Sequence, residues 1–249
     1  MKTEQSPNIF ESQWQLYQKI LTNNYMKHRE IYGILHAFLV SYFPTPFSIL
    51  DLGCGDASFT TQALANTTIA SYKGIDLSEP ALEIARDNMN SIPCEQTLIQ
   101  GDFFEVVSEL GQKQQDSFDG ILSSFAFHHL SFEQKDSIMA KLSNLLKADG
   151  VFILIDIVSR DGETRDAYLR RYLEGVYQDW AQLTPAEVSM VEGHILSSDF
   201  PETQTTLQSL AQKHNFNRVE CLYRDPLNTS QVLCFYKSSA KSLLQLEVG

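Results

Sequence analysis

Residues 49–55 read Ile-Leu-Asp-Leu-Gly-Cys-Gly, a short apolar run that ends in two glycines separated by one residue. The run is typical of a buried strand, and the glycines allow the backbone to turn sharply and approach a ligand closely. A helix that begins after such a turn presents free backbone N–H groups, which favour polar or anionic ligands. A Gly-x-Gly turn also ends strands that bind nothing, so this segment predicts a ligand site only together with further residues.

Short apolar runs alternate with amphipathic segments over residues 47–157. The predicted strands are 48–52, 71–75, 97–100, 119–123 and 151–157, and the predicted helices are 58–65, 79–89, 103–110 and 132–146. Strands that alternate with helices predict βαβ units and a parallel sheet. Ser78 is predicted to cap the second of these helices, and Ser131 with Gln134 forms a predicted capping box before the fourth.

Acidic residues end the second and third predicted strands. Asp76 lies 21 residues after Gly55, near the offset of about 20 residues expected of an acid that binds a ribose. Asp102 could accept a hydrogen bond from an adenine amino group while a neighbouring phenylalanine packs on the ring. Each acid has an alternative role as a helix N-cap, and Asp102 is well placed for it. The glycine turn followed by both acids indicates a nucleoside-containing ligand.

These segments resemble the motifs of the class I, Rossmann-like S-adenosylmethionine-dependent methyltransferases. Residues 50–55 resemble the family motif that holds the methionine part of the cofactor, Asp76 matches the ribose acid, and Asp102 matches the adenine-side acid. Residues 118–130, which end in Phe-His-His-Leu, resemble the fourth-strand motif of small-molecule members. Residues 145–151 resemble the turn before the fifth strand, although Ala-Asp replaces the usual Pro-Gly there.

The resemblance implies S-adenosyl-L-methionine as cofactor and S-adenosyl-L-homocysteine as product. It implies a cofactor site formed by Asp51, Gly53, Cys54, Gly55, Asp76, Leu77, Asp102, Phe103 and Ser124. A nicotinamide-dependent dehydrogenase is disfavoured, because Ser58 occupies the position of the third glycine in the dinucleotide fingerprint. Asp51 also suits an aminium group better than a pyrophosphate.

The predicted fold is α/β, with a doubly wound, mostly parallel seven-stranded sheet whose last strand is antiparallel. We expect one methyltransferase domain over residues 1–249, with N-terminal helices and a helical cap insertion after the fifth strand. Its predicted parts are N-terminal helices (1–44), a cofactor-binding core (45–157), the cap insertion (158–200), a final helix and strand pair (201–237) and a tail (238–249).

His128 and His129 follow the fourth predicted strand and are the candidate catalytic residues. Methyl transfer from a sulfonium is an in-line displacement that depends mainly on positioning, and sometimes on removal of a proton. Either histidine could act as a general base near neutral pH, or it could pack on the adenosine or bind a loop carbonyl. No metal site is predicted, because no cluster of acids accompanies Asp156 at the end of the fifth strand.

The N-terminal helices and the cap insertion are expected to form a lid over the substrate. The residues predicted to line or close it are Tyr25, His28, Tyr168, Arg171 and Tyr172. The alternative for Tyr172 is the core of the insertion, and the alternative for Arg171 is a solvated side chain.

Charge and composition narrow the class of substrate. The net charge of −12 repels phosphate backbones over most of the surface, which disfavours a nucleic-acid partner. No run of about 18 apolar residues and no apolar leader occurs, so we expect no membrane span and a cytoplasmic location. The predicted function is methyl transfer to a small-molecule acceptor at O, N or C. The alternatives are a tRNA- or protein-modifying methyltransferase and a non-catalytic cofactor-binding protein. The oligomeric state is left open.

Overall fold

The computed structural model describes residues 7–113 and 115–237, and the predicted tail (238–249) lies outside these described residues. The helices are α1 (Pro7–Thr22), α2 (His28–Tyr42), α3 (Ser58–Leu64), α4 (Glu79–Met89), α5 (Phe103–Lys113), α6 (Phe132–Leu145), α7 (Arg165–Asp179), α8 (Pro185–Ser198) and α9 (Gln204–Lys213). The strands are β1 (Phe47–Leu52), β2 (Ile69–Asp76), β3 (Glu95–Gln100), β4 (Phe118–Ser124), β5 (Leu146–Ser159), β6 (Glu202–Thr203), β7 (Phe216–Arg224) and β8 (Ser230–Lys237). A 3₁₀ turn covers Phe127–His129. None of the helices in the described ranges is long and apolar enough to cross a bilayer.

The strands form one mixed sheet in the order β3-β2-β1-β4-β5-β8-β7, and the two-residue strand β6 pairs with β5. The five strands from β3 to β5 run parallel, whereas β8 is antiparallel to both β5 and β7. The predicted doubly wound sheet with an antiparallel last strand is therefore confirmed, with β6 as a short addition. The strand order reverses between β1 and β4, which is where sheets of this kind bind ligands.

Helices cover both faces of the sheet, because alternate residues of β5 are apolar on both faces and each set packs in a separate core. Val151, Ile153 and Ile155 face a core shared with α2, α3 and α4. Phe152 and Leu154 face the opposite core, shared with α5, α6 and α9. All five side chains are at most 1% exposed, and burial of each stabilises the fold by about 1.5–3 kcal/mol.

The predicted helix starts at Ser78 and Ser131 are confirmed, and the start of α8 at Thr184 has the same form. The Ser78 hydroxyl accepts from the backbone N–H of Ala81, and Ser131 and Thr184 each form a complete capping box. A Ser or Thr at the N-cap typically contributes about 1 kcal/mol to helix stability. Ser78 and Ser131 thus fix the points at which α4 and α6 leave the ligand-binding edge of the sheet, and Thr184 fixes the start of α8 after α7.

Helices α7 and α8, which together are called the cap, pack on α1 beside the sheet. They form a third core that includes Leu16, Ile157, Leu173 and Ile195. The Lys19 ammonium lies 2.8 Å from the Glu187 carboxylate and so links α1 to α8. The N-terminal helix and the cap therefore form one layer over the carboxyl end of β5.

Candidate active site

The glycine turn after β1 has a backbone that only glycine adopts easily. Gly53 and Gly55 have φ angles of 71° and 55°, in the left-handed region. The N–H groups of Gly53 and Cys54 both donate to the Ile75 carbonyl, at 2.9 and 3.0 Å, which ties the turn to β2. A Cβ atom on Gly53 would lie 2.6 Å from the Cβ of Ala126, so the space beside this residue admits no side chain.

Asp76 at the end of β2 is anchored by two backbone donors. The N–H of Gly55 donates to its Oδ2 at 2.8 Å, and the N–H of Ser78 donates to its Oδ1 at 2.9 Å. Each carboxylate oxygen has a second lone pair, so the group can still accept from two ligand hydroxyls. This is the geometry expected of an acid that binds a ribose.

Asp51 is a buried acid, only 1% exposed, at the carboxyl end of β1. Its Oδ2 accepts from the Tyr72 hydroxyl at 2.9 Å and from the Thr60 hydroxyl at 3.1 Å. Burial raises the pKa of Asp51 to about 7, because the charged carboxylate is removed from water. A ligand cation beside Asp51 would therefore favour its ionised form.

A cavity of about 300 Å³ lies over these groups, and we call it the cofactor cavity. Eight of the nine predicted cofactor residues line it: Asp51, Gly53, Cys54, Gly55, Asp76, Leu77, Phe103 and Ser124. The exception is Asp102, which is exposed and whose Oδ1 accepts from the Phe104 N–H at 2.8 Å. Asp102 therefore has the alternative role, that of accepting a hydrogen bond from a backbone N–H in the first turn of α5.

His28 is the first residue of α2 and lines the cofactor cavity among aromatic rings. Its ring centroid lies 5.1 Å from the centroids of both Phe59 and Phe125. Burial lowers the pKa of His28 to about 4, so its imidazole is neutral at physiological pH. Within the described residues its Nδ1 is buried without a hydrogen-bond partner, which leaves a polar atom in the cavity wall for a ligand.

A second, larger cavity of about 640 Å³ adjoins the first, and we call it the acceptor cavity. Both cavities are lined by Tyr17, Met26, Phe125 and His129, so these residues form the boundary between them. Phe125 has a φ of 49°, an uncommon conformation for a bulky residue, where strain of this kind tends to accompany function. Helix α1 and the cap supply most of the remaining wall.

His128 and His129 border the acceptor cavity together with Asp199. The Nδ1 of His128 forms a short hydrogen bond with Asp156, and its Nε2 lies 3.5 Å from the Oδ1 of Asp199. Burial lowers the pKa of His128, but the Asp156 and Asp199 carboxylates outweigh it, and the net pKa is raised. Burial, together with the neighbouring His128, lowers the pKa of His129 to about 4. The two adjacent histidines thus differ in their protonation behaviour.

A family model described as a methyltransferase domain matches residues 49–150. An uncharacterized methyltransferase of Anoxybacillus flavithermus is 25% identical over 177 residues, which cover 70% of this chain and 78% of that protein. An uncharacterized methyltransferase of Bacillus mycoides is 29% identical over 164 residues, 64% of this chain and 69% of that protein. Residues 49–150, which include the glycine turn and Asp76, thus match a methyltransferase domain, and the strand order is that of a doubly wound, Rossmann-like sheet.

Solved structures share the fold of this chain. The 1,6-didemethyltoxoflavin-N1-methyltransferase of Burkholderia thailandensis superposes with a TM-score of 0.56 at 16% identity, over 96% of this chain and 93% of that one. That structure contains 1,6-didemethyltoxoflavin and S-adenosylhomocysteine. At this level of identity the likeness establishes the fold alone.

The predicted lid residues of the methyltransferase occupy different places. Tyr172 lines the acceptor cavity, as predicted, and also belongs to the core of the cap. Tyr25 stacks on Trp180, with ring centroids 5.0 Å apart, and its hydroxyl accepts from the Gln182 N–H. It therefore holds the cap against the segment between α1 and α2, and it does not line either cavity.

Two predicted lid residues, Tyr168 and Arg171, line neither cavity. Tyr168 is fully buried in the core of the cap, and its hydroxyl donates to the Thr229 carbonyl at 3.0 Å. Arg171 pairs with Glu163 at 2.7 Å and donates to the carbonyls at the β7–β8 turn. Tyr168 lies one turn before Tyr172 on the same face of α7, and their rings stack with centroids 5.9 Å apart, but Tyr168 is the more deeply buried of the two. Arg171 is directed to the β7–β8 turn by its hydrogen bonds there.

Sequence reasoning missed Tyr17, Asp56 and Asp199. Tyr17 and Asp56 line the cofactor cavity, and Gln18 on α1 donates to the Asp56 carboxylate at 3.2 Å. Asp56 directly follows the glycine turn, which could have identified it. No local pattern marks Asp199, because its role depends on the contact between the end of the cap and the turn after β4.

Proposed function

We propose that this methyltransferase uses S-adenosylmethionine to methylate a small molecule bound in the acceptor cavity. The observation that carries the proposal is the pair of adjoining cavities. One is lined by the glycine turn, Asp51 and Asp76, and the other is bordered by α1 and the cap. Clefts and cavities of 300–1,000 Å³, a range that includes the acceptor cavity, are typical of small-molecule sites.

The residues of the cofactor cavity fit S-adenosylmethionine. Gly55 leaves room for close approach to the backbone, because among the described residues an added Cβ there would meet only the Tyr17 hydroxyl, at 3.8 Å. Asp51 provides a buried carboxylate for the aminium of the methionine part. Asp76 offers free lone pairs for the ribose hydroxyls. When bound, this cofactor supplies an electrophilic methyl group on a sulfonium. The unpartnered Nδ1 of His28 supplies one more polar contact for the ligand.

The protein itself is expected to position the acceptor and to exclude water. Phe125 and Tyr17 at the boundary of the two cavities align the acceptor with the methyl group, and α1 and the cap close the cavity from above. Holding two reactants in line converts a bimolecular step into an effectively unimolecular one. His128 and His129 border the same space and are the proposed groups that activate the acceptor.

The lining of the acceptor cavity favours a largely apolar or aromatic acceptor with one polar reacting group. The apolar part of the wall consists of Leu16, Ile20, Met26, Phe125, Ile157, Trp180, Met190, Val191 and Ile195. The titratable side chains are grouped on one side, around Asp199. The Burkholderia thailandensis structure with 1,6-didemethyltoxoflavin and S-adenosylhomocysteine bound supports a comparable pair of ligands here.

Calorimetric titration of the purified chain with S-adenosylhomocysteine tests the cofactor assignment. We expect binding of one molecule per chain, and absence of binding would contradict the proposal. Incubation of metabolite extract with cofactor carrying a labelled methyl group then tests transfer. Label in small, extractable products supports a small-molecule acceptor, whereas label confined to RNA or protein contradicts it.

A further inference from the structure

Four titratable side chains meet at one side of the acceptor cavity, although they come from distant parts of the sequence. One ligand atom from each of His128, His129 and Asp199 lies within 4.8 Å of the others. The Nε2 of His194 on α8 lies 3.9 Å from the Oδ1 of Asp199. Three imidazoles therefore surround a single carboxylate oxygen.

The spacing of these atoms is too wide for hydrogen bonds and suits a shared metal ion. Asp199 Oδ1 lies 3.5 Å from His128 Nε2 and 3.8 Å from His129 Nδ1. Ligand atoms about 2.0–2.1 Å from a tetrahedral zinc ion are roughly 3.4 Å apart. The two distances to Asp199 are close to that value, and the whole cluster lies within 4.8 Å, so His129 must move toward the other two ligands to complete the arrangement.

Asp199 provides a second indication, since one of its carboxylate oxygens has no hydrogen bond within the described part of the chain although three imidazoles lie near it. The residue is 4% exposed, and among the described residues its Oδ1 is buried without a hydrogen bond. Buried carboxylates are normally paired, hydrogen-bonded or bound to metal. The backbone around Asp199 is nevertheless held firmly, because Arg165 donates to its carbonyl at 2.7 Å and Lys135 binds the next carbonyl, of Phe200.

The contacts of His128 are those of a metal-binding histidine. Its Nδ1 is hydrogen-bonded to Asp156, a carboxylate that also accepts from the Ile157 N–H at 2.9 Å. A carboxylate in this position fixes the tautomer and directs the Nε2 lone pair toward the ion. His129 is partly exposed, and its Nδ1 contacts the Ser198 carbonyl at 3.0 Å. A change of its side-chain rotamer would release this nitrogen.

We propose that His128, His129 and Asp199 bind a divalent metal ion of the zinc class, with an open coordination position toward the acceptor cavity. Three protein ligands and one open position are typical of catalytic rather than structural zinc sites. Asp199 faces the ion directly, Asp156 acts through the Nδ1 of His128, and Lys135 is the nearby cation. His194, with a side chain 60% exposed, lies at the rim of the site.

The proposal rests on the proposed function and specifies how that site recognises its acceptor. A hydroxyl or thiol at the open position would lose its proton to water as its oxygen or sulfur binds the ion. In the transfer, the bond from the methyl carbon to the sulfonium sulfur breaks, its electron pair stays on that sulfur, and a methyl–oxygen or methyl–sulfur bond forms. The site thus favours acceptors with an ionisable O–H or S–H group.

Titration of chelator-treated protein with Co²⁺ tests the site, because the visible spectrum of Co²⁺ reports its coordination geometry. We expect one Co²⁺ per chain with a tetrahedral or five-coordinate spectrum, displaced by Zn²⁺. Asp199→Asn should weaken Co²⁺ binding about tenfold or more, a loss of roughly 1.4 kcal/mol or more. The matched control is His214→Gln, which removes a histidine paired with Asp136 outside the cluster and should leave binding unchanged.

Circular dichroism establishes that each variant is folded, and His129→Gln serves as a second test if Asp199→Asn unfolds. A purely octahedral spectrum, or equal Co²⁺ affinity in the wild type and in folded Asp199→Asn and His129→Gln, would overturn the metal site. Binding of S-adenosylhomocysteine is measured separately. Protein that binds S-adenosylhomocysteine but no Co²⁺ contradicts only the metal site, and the reverse result contradicts only the proposed cofactor.

Discussion

The Asp76 carboxylate accepts a hydrogen bond from the backbone N–H of Gly55 at 2.8 Å, which joins the end of β2 to the turn after β1. The residue expected to bind the ribose therefore also fixes the shape of the glycine turn. Because the second carboxylate oxygen is held by the Ser78 N–H, the group is oriented before any ligand arrives. Such preorganisation lowers the entropic cost of binding.

Replacement of Asp76 by Asn is expected to weaken binding of S-adenosylhomocysteine by roughly 10- to 100-fold, since a hydrogen bond to a charged group contributes about 1.5–3 kcal/mol. The amide nitrogen would also face one of the two backbone donors. Calorimetric titration measures the effect. Asp87→Asn, at an exposed acid on α4, is the matched control and should bind as the wild type does. Equal affinity in both variants would remove Asp76 from the cofactor site.

Substitution of Gly53 by Ala is expected to destabilise the fold by about 1–3 kcal/mol, because a left-handed backbone and a new Cβ contact both cost free energy. The contact is with the Ala126 Cβ at 2.6 Å, and the φ is 71°. Gly33→Ala is the matched control, because no atom lies within 4 Å of its added Cβ in the interior of α2. Gly33→Ala should stabilise the fold by roughly 0.5–1 kcal/mol. Chemical denaturation measures the free energy of unfolding of both variants and of the wild type.

Cofactor binding is expected to strengthen as the pH rises through about 7, the pKa to which burial raises Asp51. An aminium group binds the ionised carboxylate, so below that pKa the affinity for S-adenosylhomocysteine should fall by up to about tenfold per pH unit. The stability of the ligand-free fold depends on pH in the opposite direction. The raised pKa of Asp51 contributes fully to the free energy of unfolding below about pH 4, and this contribution is lost as the pH rises from about 4 to about 7.

Calorimetry at pH 6, 7 and 8 measures the pH dependence of binding. Asp51→Asn should bind more weakly at pH 8 and should show a flatter dependence across this range. A wild-type affinity that is constant from pH 6 to pH 8 would argue against an aminium group beside Asp51.

Replacement of Trp180 by Ala is expected to loosen the cap, because this buried indole stacks on Tyr25 between α7 and the N-terminal segment. Truncation of a buried aromatic side chain typically costs about 3–5 kcal/mol. Hydrogen exchange should accelerate in α7 and α8 while β1, β4 and β5 stay protected. Trp180→Phe retains a stacking ring, so its hydrogen-exchange rates in α7 and α8 should lie between those of the wild type and those of Trp180→Ala. Uniform acceleration across the sheet would contradict a separate role for the cap.

The fold could be predicted from the sequence because its signals are local. Alternation of apolar runs with amphipathic helices located β1 to β5, and Ser78, Ser131 and Thr184 marked helix starts through their own side chains. The boundaries were less accurate, since β5 begins at Leu146, where pairing with Phe118 extends the strand beyond its apolar run. The two-residue strand β6 has no pattern of its own.

The cofactor side of the site was predictable for the same reason, whereas the acceptor side was not. Gly53, Gly55 and Asp76 stand at strand ends, and their positions follow from the order of the strands. Asp199 meets His128 only because the end of the cap returns to the turn after β4, a contact made by the N–H of Phe200 with the His128 carbonyl at 2.9 Å. Tyr168 was misplaced because it shares a face of α7 with Tyr172, and helical spacing does not show which of the two rings reaches the cavity.

The two cavities draw their walls from different parts of the chain. Strand ends and the turns after them form most of the cofactor cavity, whereas α1 and the cap form much of the acceptor cavity. Mutations in these peripheral helices can therefore change the methylated compound while the strand ends stay intact. Relatives with similar sheets can thus diverge in substrate through these two segments, and grafting them together offers a route to exchanging specificity between homologues.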